Sequence, residues 1–228
     1  MSRLIFIRLF TISFLAVAAI ISLATHEEQV SGVSVPPPSQ NDWVNTKLKL
    51  MSLEEKIGQF FMVAAFSNRG EEHFRSLDSV VTMNHIGGLI FFQGNRLNFK
   101  SVINRFQGKA KIPLLIGMDA EWGIQMRLFG EKRYPYNYTL GAADDPKLTR
   151  KISEMIAQEC REIGIHMNFS PVADVNSNPD NPVIGFRSYG ENPARVSAHV
   201  KACVQGMESQ GILTSIKHFP GHGDTEMD

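Results

Sequence analysis

The sequence predicts an α/β fold, an incomplete (β/α)8 barrel of the TIM type with about five to six of its eight strands. Three observations predict it. Short apolar runs alternate with helical segments from residue 52 onward. The runs are apolar along their whole length, which is typical of parallel strands covered by helices on both faces. Polar side chains follow several of the runs, as in a barrel whose active site lies at the carboxyl ends of its strands.

The helical segments are identified by their apolar periodicity and their caps. The first begins after Ser52, which is spaced to form a capping box with Glu55. Two later segments begin with proline, which costs a helix no hydrogen bond at its first position. Gly211 is expected to end the last one. The longer helices are predicted over residues 70–84, 98–107, 146–163 and 193–210.

The strands are predicted over residues 61–66, 86–92, 113–118, 167–175 and 212–216. Polar groups recur at or near their ends, at Gln93, Asp119, Asp174, Lys217 and His218. In a barrel these ends converge on one mouth, whereas an open doubly wound sheet concentrates such groups at one switch point. The sequence contains no glycine-rich nucleotide-binding loop to support the open sheet, so the barrel is favoured.

The N-terminal segment predicts a targeting signal and a tether. Arg3 and Arg8 precede an apolar run that ends in small residues, which is the pattern of a secretory signal peptide over residues 1–24. An uncleaved membrane anchor is the alternative, although the run is shorter than the roughly 20 residues that span a bilayer. Residues 25–41 contain three consecutive prolines and predict an extended tether. We therefore expect a secreted or periplasmic protein whose folded domain covers residues 42–228.

Charge and cysteine content narrow the classes of partner. The chain has 23 Lys and Arg and 23 Asp and Glu, a formal net charge of zero at pH 7. Nucleic acids and anionic lipids need clustered basic residues, so neither is an expected partner, and no membrane contact is expected beyond the signal segment. Cys160 and Cys203 fall within helical segments and are expected to be free, buried thiols. No cofactor is expected.

Two polar segments at strand ends are candidate binding sites. The first, MDAEWG, contains Asp119 and Glu121 and is followed by Arg127. A carboxylate accepts hydrogen bonds from sugar hydroxyls and a guanidinium donates to the same ligand, but a buried ion pair that stabilises the loop explains these residues equally well. The second, residues 174–190, is a long loop rich in Asn, Asp and Pro, which is typical of a binding loop. Arg187 lies in this loop beside apolar groups.

The third polar segment is KHFPGHGDTEMD, residues 217–228. It is too polar for a core, and its Pro and Gly residues fix a tight path. His218, His222 and Asp224 offer the alternative of a metal site in a barrel hydrolase, but no histidine near the other strand ends completes the ligand set. The remaining histidines at helix or strand edges are expected to be structural or exposed: His85, His166 and His199.

The three segments resemble the N-terminal barrel of glycoside hydrolase family 3, in its β-N-acetylglucosaminidase branch. KHFPGHGDT, NPVIGFRSYG and the D-x-E-x-G segment at Asp119 occur in the family's order, and the resemblance covers residues 52–228. It implies hydrolysis of terminal non-reducing N-acetylhexosamine from a glycan of cell-wall or chitin type, with a role in peptidoglycan turnover. The sugar-binding residues that it implies are Asp119, Arg127, Asp174, Arg187, Lys217 and His218.

The resemblance also implies a retaining mechanism without a metal ion. Its acid/base is a histidine paired with an aspartate two residues earlier. Asp228 matches that aspartate, whereas the histidine and the nucleophilic aspartate match no position of this sequence. Trp122 replaces a glycine of the family pattern, and Ile124 stands where an arginine is common, so the resemblance does not define the direction of substrate entry on that side. We therefore expect residues 1–228 by themselves to be inactive or to bind sugar only.

Overall fold

A single sheet of five parallel strands forms the centre of the computed structural model, which describes residues 42–227. The neighbours in the sheet follow each other in sequence order, as successive β-α units dictate. This confirms the α/β class. The sheet does not close into a barrel among the described residues, because its two outer strands do not pair with each other. The strands are Met62–Phe66 (β1), Gly88–Gln93 (β2), Leu115–Met118 (β3), Met167–Asn168 (β4) and Leu213–Thr214 (β5).

Side chains cap several of the helices at their N-termini, including the one for which a capping box was predicted. Ser52 accepts a hydrogen bond from the Glu55 amide, and the Glu55 carboxylate accepts one from the Ser52 amide, which confirms the capping box. Asp145 and Asn192 cap the two helices that begin with proline. The helices are Asp42–Leu50 (α1), Leu53–Gly58 (α2), Glu71–Met83 (α3), Arg96–Gln107 (α4), Asn137–Ala143 (α5), Pro146–Glu162 (α6) and Pro193–Ser209 (α7).

Two units divide the chain, Met1–Lys49 and Leu50–Asp228. The described residues of the first unit lie in α1. The predicted signal peptide, the predicted tether and Asp228 lie outside the described residues. Within the described part of the chain, no helix combines the length and the apolar character needed to cross a membrane.

The main core of the second unit lies between the strands and the helices that cover them. The strands contribute fully buried side chains such as Leu89, Phe91 and Ile116, and α4 contributes Phe99 and Phe106. A core of this kind is packed to the density of an organic crystal, so each strand has a fixed position against its helix. The ends of the strands, and the side chains that follow them, are fixed with it.

Both cysteines belong to this buried part of the structure. Cys160 in α6 and Cys203 in α7 are free, as predicted. Burial raises the pKa of the Cys160 thiol to about 12, helped by the nearby charge of Glu159. The thiol is therefore protonated at neutral pH and unreactive.

Strands β4 and β5 are much shorter than predicted. The prediction gave strands over residues 167–175 and 212–216, but regular pairing covers two residues in each strand. Pro171 has no amide hydrogen to donate, so it interrupts the ladder. The two segments meet again at Val172 and Lys217, and the Ala173 amide donates to the Lys217 carbonyl at 2.6 Å. The extended path therefore continues to the polar residues despite the interruption.

The three histidines that were expected at helix or strand edges have structural environments, but one position was wrongly predicted. His199 lies inside α7 rather than at an edge and is completely buried. Its Nδ1 lies 2.7 Å from the Thr149 hydroxyl, and its ring stacks on Tyr189 with 5.3 Å between centroids. His166 accepts a hydrogen bond from the Ile116 amide through Nδ1, whereas His85 lies 3.8 Å from Glu55.

Gly206 allows α6 and α7 to pack closely, and this leads to a stability prediction. A Cβ atom at Gly206 would lie 2.5 Å from the Arg150 carbonyl oxygen and 2.8 Å from the Ser153 Cβ. We expect Gly206→Ala to lower the free energy of unfolding by about 1–3 kcal/mol, because the helices must separate. Urea denaturation measures the effect. Ser197→Ala on the exposed face of the same helix is the control, and an equal effect of both changes would contradict the prediction.

Candidate functional site

Side chains from the ends of β3 and β5 and from the loop of residues 174–190 surround one cavity of about 460 Å³. A cavity of this size lies within the range of small-molecule binding sites. Five of the six residues predicted to bind sugar line it, and Asp174 does not. The lining residues are Asp119, Glu121, Trp122, Met126, Arg127, Val183, Arg187, Lys217, His218 and His222.

Asp119, the first residue after β3, is shared between two cations. Its Oδ1 accepts a hydrogen bond from Lys217 Nζ at 2.8 Å, and its Oδ2 accepts one from Arg127 Nη2 at 2.8 Å. Burial alone would raise the pKa of Asp119, but the hydrogen bond from Lys217 and the charges of Lys217 and Arg127 outweigh it, so the pKa is lowered. Asp119 is therefore an anion with a fixed orientation at the wall of the cavity.

Glu121, two residues further on, forms the second centre of the charge network. Its side chain is completely buried and forms a bidentate ion pair with Arg187. Arg187 Nη2 donates to Glu121 Oε1 at 2.9 Å, and Arg187 Nε donates to Glu121 Oε2 at 3.1 Å. Lys217 Nζ lies 2.8 Å from Glu121 Oε1, so this lysine joins the two carboxylates. Burial lowers the pKa of Arg187, but the hydrogen bond and the charge of Glu121 raise it by more. The buried ion pair that was one of the two sequence-based explanations is therefore present, and sugar binding at the cavity that these residues line stays a prediction.

Asp174 holds His218 in place rather than lining the cavity. Its side chain is fully buried, and Oδ2 lies 2.6 Å from His218 Nδ1 and accepts from the His218 amide at 3.2 Å. Oδ1 accepts from the His222 amide at 2.7 Å. Because an ionised carboxylate only accepts, the Nδ1 atom of His218 carries the hydrogen in this contact. Nε2 is then the ring nitrogen through which His218 meets a ligand.

The loop of residues 174–190 and the segment after β5 form one interlocked unit. Asn181 Nδ2 donates to the His222 carbonyl at 2.6 Å, and its Oδ1 accepts from the Ile184 amide at 2.7 Å. His222 Nδ1 also contacts the Thr225 hydroxyl. A Cβ atom at Gly223 would lie 1.8 Å from the Val175 carbonyl oxygen, so only glycine permits this close approach. The asparagines of the loop and the glycines of the segment after β5 have this structural basis.

The metal alternative receives no support from this geometry. Asp174, not Asp224, contacts His218 and His222, and Asp224 is exposed. Within residues 42–227, no group of three or more His, Cys, Asp or Glu side chains is arranged to hold a metal ion.

Sequence reasoning gave no individual role to two residues that prove central to the cavity. Glu121 was recognised as part of its motif, but no binding role was assigned to it. Its position two residues after Asp119 places both carboxylates beside the end of one strand, which was a usable signal. Trp122 was noted only as a departure from the family pattern, yet its ring lines the cavity. Nothing in the local sequence indicates which residues Trp122 contacts.

Comparison with known proteins identifies similar sequences and structures. Residues 52–228 match the model of the glycosyl hydrolase family 3 N-terminal domain. Beta-hexosaminidase A of Pseudoalteromonas piscicida is 37% identical over 165 residues, which are 67% of this chain and 28% of the relative. Beta-hexosaminidase LpqI of Mycobacterium tuberculosis is 32% identical over 182 residues, 76% of this chain and 44% of the relative. The chain thus spans less than half the length of these relatives.

Solved structures resemble the fold as well. A glycoside hydrolase family 3 beta-N-acetylglucosaminidase from Paenibacillus sp. str. FPU-7 has a TM-score of 0.72 at 36% identity, covering 78% of this chain and 35% of that one. Beta-glucoside phosphorylase BglX bound to 2FGlc has a TM-score of 0.76 at 29% identity, covering 82% of this chain and 33% of that one. These neighbours have TIM-type barrels, so the five strands correspond to part of a barrel.

Removing the charge of Glu121 tests the buried ion pair. Glu121→Gln keeps the shape of the side chain but leaves Arg187 without its anion. We expect a loss of about 3 kcal/mol in the free energy of unfolding, at the lower end for a broken buried pair because 17% of the Arg187 side chain is exposed. Arg195→Gln, in an exposed pair with Asp144, is the control, with an expected loss below about 1 kcal/mol. Similar losses from both changes would contradict the prediction.

The lowered pKa of Asp119 predicts an acid-dependent loss of stability. The pKa is below the ordinary value of 3.8, so the folded state favours the anion, and its contribution is present in full above about pH 4. As the pH falls through the lowered pKa, that contribution is lost. We expect the difference in unfolding free energy between the wild type and Asp119→Asn to be constant near neutral pH and to shrink below about pH 4. Denaturant titrations across the acid range measure it, and a difference independent of pH would refute it.

Proposed function

Because the chain belongs to glycosyl hydrolase family 3, we propose that it supplies the sugar-binding part of an enzyme that hydrolyses β-linked N-acetylhexosaminides. The named activities of the two beta-hexosaminidases support the substrate class. The sugar to be released is a terminal, non-reducing N-acetylhexosamine of a cell-wall or chitin-type glycan. Its binding site is the cavity at the ends of β3 and β5.

One observation carries this proposal, the position of Asp119 between Lys217 and Arg127 at the wall of the cavity. An ionised carboxylate accepts hydrogen bonds from sugar hydroxyls, and ammonium and guanidinium groups donate to the hydroxyl oxygens. A neutral ring with many hydroxyls needs both kinds of partner in a fixed arrangement. The three cations that line the cavity are balanced by three carboxylates, which suits a neutral sugar better than a strongly charged ligand.

His218 adds a directional group to this site. Asp174 fixes the imidazole ring of His218 through Nδ1, so Nε2 is the ring nitrogen that meets a sugar hydroxyl. Asp174 is thus a positioning residue, and its effect on binding acts through His218. This arrangement fixes the orientation of the His218 imidazole before the sugar binds, so less side-chain entropy is lost on binding.

The proposal includes a retaining reaction in two steps. An aspartate carboxylate attacks the anomeric carbon while a histidine gives its proton to the leaving oxygen, and the glycosidic bond breaks. The same histidine then takes a proton from the water that cleaves the covalent intermediate. Asp228 is the proposed partner of that histidine. The predicted signal peptide over residues 1–24 supports a secreted or periplasmic location for the reaction.

A second candidate is phosphorolysis of β-glucosides. It is favoured by the structural similarity to the beta-glucoside phosphorylase, whose TM-score of 0.76 exceeds the 0.72 of the N-acetylglucosaminidase. In that case inorganic phosphate replaces water as the acceptor, and glucose rather than N-acetylglucosamine is the ring that the cavity prefers. Comparing the affinities of the two sugars separates the candidates.

Sugar titration tests the proposed site directly. We expect the chain to bind N-acetylglucosamine with a dissociation constant on the order of 1 mM, and more tightly than glucose. Lys217→Met, which keeps the length of the side chain but removes its charge, should weaken binding at least about tenfold, because Asp119 and Glu121 lose the cation that they share. Calorimetry or ligand-detected NMR measures the affinity.

Lys100→Met at an exposed position of α4 is the matched control and should leave the affinity unchanged. Thermal unfolding of both variants checks that they are folded. Absence of binding by the wild type, or equal binding by the wild type and a folded Lys217→Met variant, would exclude this site. Tighter binding of glucose would favour the phosphorylase instead.

A further inference from the structure

We propose that Trp122, Tyr136 and Phe186 form an aromatic shelf that binds the second sugar ring of a β-linked disaccharide whose first ring occupies the cavity. This inference rests on the proposed function and adds a specificity site to it. The shelf is defined by these three residues.

The three rings form a compact cluster. The centroids of Tyr136 and Phe186 lie 4.5 Å apart, those of Trp122 and Tyr136 lie 5.0 Å apart, and those of Trp122 and Phe186 lie 5.7 Å apart. The rings are tilted or edge-to-face, which are the favourable arrangements for aromatic pairs. The cluster therefore has a defined shape without any ligand.

The shelf is an exposed apolar surface rather than part of the core. Phe186 is 51% exposed, and Trp122 and Tyr136 are only partly buried. None of the three belongs to the buried core clusters. Three aromatic rings held together at the surface beside a polar cavity are typical of a binding surface.

The shelf continues directly from the charged wall of the cavity. Glu121 pairs with Arg187, and the residues adjacent to them in sequence, Trp122 and Phe186, contact each other. The segment after β3 and the loop of residues 174–190 are therefore joined by an ion pair and by an aromatic pair of the neighbouring residues. Trp122 lines the cavity itself, so it is the point at which the polar site passes into the apolar surface.

Hydrogen bonds fix the shelf to the cavity. Asn137, which follows Tyr136, donates from Nδ2 to the Arg187 carbonyl at 2.7 Å. Arg133 donates to the Tyr136 hydroxyl, and its guanidinium carbon lies 4.8 Å from the centroid of that ring. These contacts already restrict the side chains of the shelf, so a ligand that binds there causes little further loss of conformational entropy.

A pyranose ring is the occupant that suits both surfaces. Each face of the ring carries C–H groups, which an aromatic ring shields from water, while the hydroxyls at the ring edge stay hydrated. A disaccharide with one ring in the polar cavity must place its other ring just outside, and Trp122 lies where the cavity meets the shelf. An aryl or peptide substituent would use the shelf without the matching contacts to hydroxyls.

The position of Trp122 gives a direct measurement. The chain has two tryptophans, Trp43 and Trp122, so in Trp43→Phe the fluorescence reports on the shelf alone. We expect the β-1,4-linked disaccharide of N-acetylglucosamine to change the emission intensity or wavelength to a greater extent than the monosaccharide does. The disaccharide should also bind at least about fivefold more tightly than the monosaccharide.

Variants of Phe186 separate a binding role from a structural one. Phe186→Ala should weaken disaccharide binding about fivefold and change monosaccharide binding less than about twofold, and Phe186→Trp should restore the disaccharide affinity. Because Phe186 is half exposed, its removal is expected to leave the fold intact, and thermal unfolding of the variant checks this.

The outcomes distinguish failure of the shelf from failure of the proposed function. Equal affinity for both sugars, or equal weakening of both by Phe186→Ala, would overturn the shelf while leaving the sugar cavity in place. Binding of an aryl glycoside that Phe186→Ala weakens, with no preference for the disaccharide, would also overturn it. If neither sugar binds, the proposed function fails and the shelf fails with it.

Discussion

Two carboxylates beside the end of one strand, Asp119 and Glu121, impose the main constraint on this site. Burying an anion without a partner costs several kcal/mol, so each must be met by a cation that arrives from elsewhere in the chain. Lys217 comes from the end of β5 and serves both, and Arg187 comes from the long loop and serves Glu121. The positions of the loop and of the last strand are therefore tied to the same two side chains.

This constraint explains why the residues that stabilise the site are also the residues proposed to bind sugar. An isolated buried ion pair contributes little net stability, because desolvation offsets the attraction. Here the pairs are retained at the wall of a cavity, where the charged groups are also placed to meet the proposed sugar. The pair of Asp174 and His218 follows the same pattern, with the carboxylate inside and the ring at the surface of the cavity. The charged side chains and His218 at the cavity are thus held in place by ion pairs or hydrogen bonds to neighbouring side chains.

The sequence predicted the order of elements well because strand and helix periodicity is local. It also predicted which strand ends carry polar groups, and five of the six proposed binding residues do line one cavity. It did not predict the interruption of β4 and β5, because the effect of Pro171 depends on which neighbour its missing amide faces. The inward position of Asp174 and the contacts among Trp122, Tyr136 and Phe186 were also missed, since they depend on long-range packing that periodicity does not encode.

The contact between Lys217 and Asp119 joins residues 98 positions apart, and that between Arg187 and Glu121 joins residues 66 apart. Contacts of such long range form slowly, because the intervening chain must first be ordered. Most of the sheet is synthesised before Lys217 leaves the ribosome, and until then the two carboxylates lack the ammonium group that they share. The cavity is therefore completed only after β5 has joined the sheet, and its presence reports that the sheet up to β5 has folded.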